Sequence, residues 1–255
     1  MTRFITLLAE LWLMALPASA QSEAIVAGLS QNRVAITTTF VGSEILIFGA
    51  IKRDAPAPDA ALGITVVIEG PSQPITVRRK EKRFGIWINT DAVEVSAAPA
   101  FYAIATSGPF DELITPEIDS VRRISIPASI SVPEAEGSLD TEKFAEAVIR
   151  IRTRNGLYRM QEGSVRVDRD TLFDTRIQLP ANLTEGIYSA RIYLTRDGAV
   201  VASETTYIDV QKVGLERWIY NLAHEQAFLY GLMSLFIAIA AGWGASAAFR
   251  LILRN

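Results

Sequence analysis

Gly186-Ile-Tyr-Ser-Ala-Arg-Ile-Tyr-Leu-Thr195, Arg196-Asp-Gly198 and Ala199-Val-Val-Ala-Ser-Glu-Thr-Thr-Tyr-Ile-Asp-Val210 read together as two strands about a tight turn. Both runs are rich in β-branched and aromatic residues, and Asp-Gly tolerates the positive φ that a two-residue hairpin turn requires. Upstream, Pro180-Ala-Asn-Leu-Thr-Glu-Gly-Ile-Tyr188 has the pattern of the corner in immunoglobulin-like domains where a tyrosine ties down a turn. Tyr188 is therefore expected to be buried, with its hydroxyl bonded to backbone.

Further strands are expected on both sides of this hairpin. Ser164–Val167 and Leu172–Leu179 precede it. Arg33–Phe40, Glu44–Phe48, Gly63–Ile68, Ile75–Val77, Ile86–Ile88 and Tyr102–Thr106 form an earlier block. Gly42, Pro56, Pro58 and Gly70-Pro71 separate these runs. Many short strands at this spacing predict a mainly β ectodomain, an immunoglobulin-like β-sandwich, with one or two inserted helices. The longer helix is expected over Ser138–Asn155, where Phe144, Val148 and Ile151 share a face. Ser138 or Asp140 would cap its start and Gly156 its end. A shorter helix is expected at Pro109–Ile114.

The two ends of the chain predict export and anchoring. Arg3, the apolar Phe4–Leu16 and Ala18-Ser-Ala20 form a signal peptide over residues 1–20, so Gln21 would begin the mature chain. Near the other end, Gln226–Phe249 is a run of 24 uncharged residues. About 20 residues suffice to cross a bilayer. Trp218, Tyr220, Tyr230 and Trp243 are placed as interfacial aromatics, and Arg250 and Arg254 in the tail favour a cytoplasmic C-terminus. The expected organisation is a β domain over 21–135, a helix plus second β block over 136–213, and a membrane-proximal segment over 214–225. A transmembrane helix over 226–249 and a tail over 250–255 follow. This places the ectodomain in the periplasm of a bacterial inner membrane.

Several motifs occur in order: Val41–Ala50, Arg78–Glu81 with Gly85–Asn89, Pro99–Tyr102, Gly156–Tyr158, Leu179–Asn182 with Gly186–Tyr188, Tyr230-Gly231 and Gly242-Trp243. In this combination the chain resembles the alphaproteobacterial putative transmembrane protein family. The resemblance implies an inner-membrane location and an unassigned function, and suggests a membrane-protein partner such as a permease. It brings no catalytic residues.

Composition narrows the chemistry further. The chain has no cysteine and a single histidine, His224, so disulfides, thiolate sites and multi-histidine sites are ruled out. No nucleophile elbow, phosphate loop or dinucleotide fingerprint is present. Asp168-Arg-Asp170 with Asp174 lacks the glycine and terminal glutamate of a calcium loop and reads as a turn. With these motifs missing no enzyme activity, cofactor or metal is expected, and a net charge of −3 gives no reason to expect a nucleic-acid partner.

Two candidate contact features remain. Arg78, Arg79, Lys80, Lys82 and Arg83 surround a single anion, Glu81. They would contact a small anion, an anionic lipid or an acidic partner, or serve only as a charged edge that resists aggregation. Within the apolar span, Ala238, Gly242 and Ser246 recur every fourth residue, the spacing of a helix-packing stripe.

Overall fold

The computed structural model describes residues 23–57, 59–131 and 139–252. The expected signal peptide, the start at Gln21, Pro58, the Ser138 cap and Arg254 lie outside the described residues, as does the side chain of Asp140. Strand runs form β1 (Glu23–Leu29), β2 (Arg33–Ile36), β3 (Ser43–Arg53), β4 (Leu62–Glu69), β5 (Ser72–Arg83), β6 (Ile86–Pro99) and β7 (Tyr102–Thr106). Four helices follow: α1 (Phe110–Leu113), α2 (Pro116–Arg122), α3 (Ile126–Ser129) and α4 (Leu139–Arg154). Then come β8 (Tyr158–Gln161), β9 (Arg166–Asp168), β10 (Leu172–Leu179), β11 (Gly186–Arg196) and β12 (Ala199–Lys212). Two helices, α5 (Leu215–Glu225) and α6 (Ala227–Ile252), end the described chain.

The protein is mainly β. One sheet has the order β1-β3-β10-β9 and is antiparallel throughout. The second runs β2-β12-β11-β4-β7-β8, with parallel pairs only at its two edges. Alternation decides which face of β10 is buried: Phe173, Thr175, Ile177 and Leu179 point inward and their neighbours outward. Ile45 and Ile47 of β3 join them, opposite Ile64, Val66, Ile192 and Ile208 of the second sheet, in one hydrophobic core. Each such side chain contributes about 1.5–3 kcal/mol on burial. β7 is buried along its whole length, and Ile114, Ile124, Ile130 and Val148 of the helical segment complete the core.

Four strand pairs cross the 135/136 boundary: β3 with β10, β4 with β11, β2 with β12 and β7 with β8. The two segments are thus divisions of the sequence, and their strands share both sheets and one core.

The local expectations about the last hairpin hold. Asp197 and Gly198 have φ of 48° and 78°, both left-handed, as a two-residue turn closing Arg196 against Ala199 requires. Tyr188 is fully buried and its hydroxyl donates to the Thr184 carbonyl at 2.8 Å. Burial raises its pKa to about 12. The end of α4 also follows the sequence: Gly156, at φ 71°, lets its own N–H reach the Thr153 carbonyl and that of Leu157 reach Arg152.

Other expectations need correction. Arg33–Phe40 is a strand only to Ile36, because the Phe40 N–H turns back to the Thr37 carbonyl. Ile151 is half exposed, whereas Phe144 and Val148 are buried, so the covered face of α4 ends before its last turn. Ile75–Val77 and Ile86–Ile88 are pieces of one long hairpin, β5–β6, whose turn holds Phe84.

Candidate functional site

The β5–β6 hairpin carries the predicted basic cluster. It forms a two-stranded sheet of its own. Its turn is Phe84-Gly85, at φ 51° and 86°. Directly opposed residues of an antiparallel pair project to the same face. Arg79 faces Asp91, Glu81 faces Ile88 and Arg83 faces Ile86, whereas Arg78 faces Ala92, Lys80 faces Asn89 and Lys82 faces Trp87. The odd-numbered face is neutralised: Arg79 meets Asp91 at 2.5 Å and Glu81 at 3.8 Å, and Arg83 meets Glu81 at 3.4 Å. Toward its base this face turns to the protein, with Val95 buried, Ile75 and Val77 packed on the core, and Arg79 over the Phe144 ring.

The even-numbered face differs. Arg78, Lys80 and Lys82 are exposed and form no hydrogen bond or ion pair among the described residues. The tip adds uncovered apolar surface. Phe84 is fully exposed, and Trp87 retains 68% of its surface and Ile86 64%. The five cations therefore divide into a paired set, Arg79 and Arg83, and an unpaired stripe of three. Sequence periodicity exposes that division, but not the Phe84 turn that presents the aromatic tip.

At the other end of the chain, α6 is 26 residues long, and Ala227–Ser246 within it is apolar enough to cross a membrane. Ala238, Gly242 and Ser246 lie on one face of α6, all exposed. Only Val213 and Gly214 separate β12 from α5, and only Gln226 separates α5 from α6. On α5, Tyr220 and His224 stack with ring centroids 4.0 Å apart, and His224 Nδ1 lies 2.9 Å from the Tyr220 carbonyl. That contact accounts for the histidine structurally.

An open groove of about 770 Å³ lies along the β1-β3-β10-β9 sheet, where Val26, Phe48 and Leu172 adjoin Arg166, Asp168 and Asp174. Arg166 and Asp174 are joined by two 3.0 Å hydrogen bonds. The Asp168–Asp170 run is a turn, as expected, and Arg169 and Asp170 take left-handed φ values of 49° and 48° in it. Among the described residues, no group of three or more His, Cys, Asp or Glu side chains could hold a metal ion.

Buried charge is concentrated elsewhere. Glu23 is clamped between Arg53 at 2.5 Å and Arg196 at 2.9 Å, with all three side chains at most 12% exposed. The Arg196 hydrogen bonds hold the Glu23 carboxyl below the ordinary carboxylate value, against the effect of burial. Arg191 pairs with Glu69 at 2.9 Å and donates to the Tyr102 hydroxyl, which itself reaches the Ile124 carbonyl at 2.8 Å. These sites fasten strands and helices together.

No curated protein matches this chain. The crystal structure of Spo0M, a sporulation control protein from Bacillus subtilis, is similar at 10% identity and a TM-score of 0.29. The match covers 82% of this chain and 56% of that one, and at this TM-score it carries no argument about fold or activity. Residues 24–251, from β1 nearly to the end of α6, match one family over almost the whole described chain. The chain belongs to the family described as "Putative transmembrane protein (Alph_Pro_TM)".

Proposed function

We propose that this protein is a non-enzymatic, membrane-anchored accessory protein whose β-rich ectodomain is presented to a membrane-protein partner, with a permease as the expected kind. The observation that carries the proposal is the short tether: two residues join β12 to α5 and one joins α5 to the apolar α6. A domain held this closely to its anchor suits a partner in the same membrane better than one in free solution. In this reading residues 1–20 are a cleaved signal peptide, the ectodomain is periplasmic and the tail cytoplasmic. The Tyr188 corner and the two sheets around one core support an immunoglobulin-like sandwich as its architecture.

The unpaired stripe of Arg78, Lys80 and Lys82 supports a second reading, a small-anion-binding module. Their placement on an open strand face supplies no enclosing pocket and favours extended surfaces over small ions.

Two measurements test the leading reading. Alkaline phosphatase fused after Val213 is expected to be active, and inactivity there would reverse the topology. Affinity capture of the tagged full chain from solubilised membranes is expected to recover an integral membrane protein in fixed ratio. Recovery of the chain alone would remove the accessory role.

A further inference from the structure

The hairpin has one face for the protein and one with no described residue packed on it. The odd-numbered face packs at its base on the core and pairs its charges within itself. The even-numbered face carries Arg78, Lys80 and Lys82 unpaired, Trp87 opposite Lys82, and Phe84 at the turn beyond them. Glu94, the one anion on this face, sits opposite Thr76 at the end nearer the protein body. Cations on this face repeat every ~6.6 Å, so the stripe from Arg78 to Lys82 covers about 13 Å and leads into the aromatic tip.

We infer that the even-numbered face of the β5–β6 hairpin lies on an anionic phospholipid surface. Trp87 and Phe84 enter the interfacial layer, and Arg78, Lys80 and Lys82 meet lipid phosphates. Three arguments favour lipid over a protein partner. Exposed aromatic rings beside cations match the layered chemistry of a bilayer interface, apolar below and anionic above. Each Lys or Arg near an anionic membrane surface adds attraction, so a row of three is cumulative. The α6 anchor and its short connections also place a bilayer close to the ectodomain without a second protein. The last argument rests on the membrane-anchored reading, so anchoring and hairpin contact must be read out separately.

Because the chain has no cysteine, a single introduced one labels it uniquely. Asn89→Cys and Ile88→Cys are neighbours on opposite faces of the hairpin. Each full-length variant carries an environment-sensitive fluorophore and is reconstituted into vesicles of phosphatidylcholine, alone or with phosphatidylglycerol as a minor component. Vesicle flotation reports the anchor, and quenching by doxyl-labelled lipid reports the hairpin.

The expected result is strong quenching at position 89 in phosphatidylglycerol vesicles, with much less at position 88. Most of the quenching at 89 should be lost with phosphatidylcholine alone or after Lys80→Glu with Lys82→Glu. Protein that floats but shows no quenching at 89 would overturn the hairpin contact while leaving the anchor intact. Quenching that survives charge reversal would overturn the role of the cations. A label shielded only in native membranes would assign the face to a protein instead of lipid. Failure to float would overturn both the anchor and this contact.

Discussion

Arg196 donates to both carboxylate oxygens of Glu23, at 3.1 and 2.9 Å, across 173 residues of sequence. The pair ties the start of β1 to the end of β11, and Arg53 of the neighbouring strand donates to the same carboxylate. Removing the shared carboxylate leaves two buried guanidinium groups without their counter-charge, held only through contacts such as those to the Asp170 and Ala60 carbonyls, at a cost of about 3–5 kcal/mol. Glu23→Ala is expected to destabilise by that order in urea denaturation at neutral pH. The effect also has a pH signature. Because the folded-state pKa of Glu23 lies below its ordinary value of 4.5, its contribution is present above that value and fades as pH falls through the folded pKa. The difference between wild type and Glu23→Ala should therefore shrink below pH 4.5.

Tyr188→Phe removes a single hydroxyl from a fully buried ring without disturbing its packing on Phe101, whose centroid is 6.1 Å away. The Thr184 carbonyl loses its donor. The expected cost is about 0.5–1.5 kcal/mol, measured as a lowered denaturation midpoint at unchanged slope.

Gly49 is required by its neighbours. A Cβ there would stand 2.5 Å from the Phe173 ring and 2.6 Å from the Val26 carbonyl, and that carbonyl belongs to the adjoining strand. Gly49→Ala is expected to destabilise by about 1–3 kcal/mol through overpacking. Gly108, which has open space around its Cβ position, serves as the comparison. Gly108→Ala should stay within about 0.5 kcal/mol of wild type.

The two faces of the β5–β6 hairpin should respond differently to mutation. Arg78→Glu with Lys80→Glu acts on exposed, unpaired cations and should move the melting temperature little, since surface charges contribute only about 0–1 kcal/mol. Arg79→Ala loses the Asp91 pair and the contact with Phe144 and should lower it more. A double reversal that melts as early as Arg79→Ala would contradict this assignment of faces.

Much of the fold is legible where alternation is clean. β10 buries every second residue from Phe173 to Leu179, and the Asp197-Gly198 turn follows from a residue pair that such turns favour. β1 escapes because Ala24, Ala27 and Gly28 interrupt its large apolar residues. β8 escapes because its Tyr-Arg-Met-Gln run shows no period, and it forms by pairing with β7. α2 and α3 are short and held by tertiary bonds: Asp119 accepts from the Ile124 and Ser125 N–H groups, and Tyr102 from β7 reaches Ile124. In the basic cluster, residue spacing reveals the two faces. The Phe84 turn is hidden, because Phe-Gly is not a composition that signals a hairpin.

The strand order also constrains when the protein can fold. β2 and β4 enter the same sheet only through β11 and β12, the last two strands made. In an emerging chain β3 can pair with β1 and β4 with β7, but β2 stays without its partner and β4 keeps one edge open until β11 and β12 are made. By then only α5 and its two short connections stand between β12 and α6. Closure of the second sheet and emergence of the apolar α6 therefore fall in the same interval of biosynthesis. A chain truncated before β11 would leave an open edge for chaperones and proteases to bind.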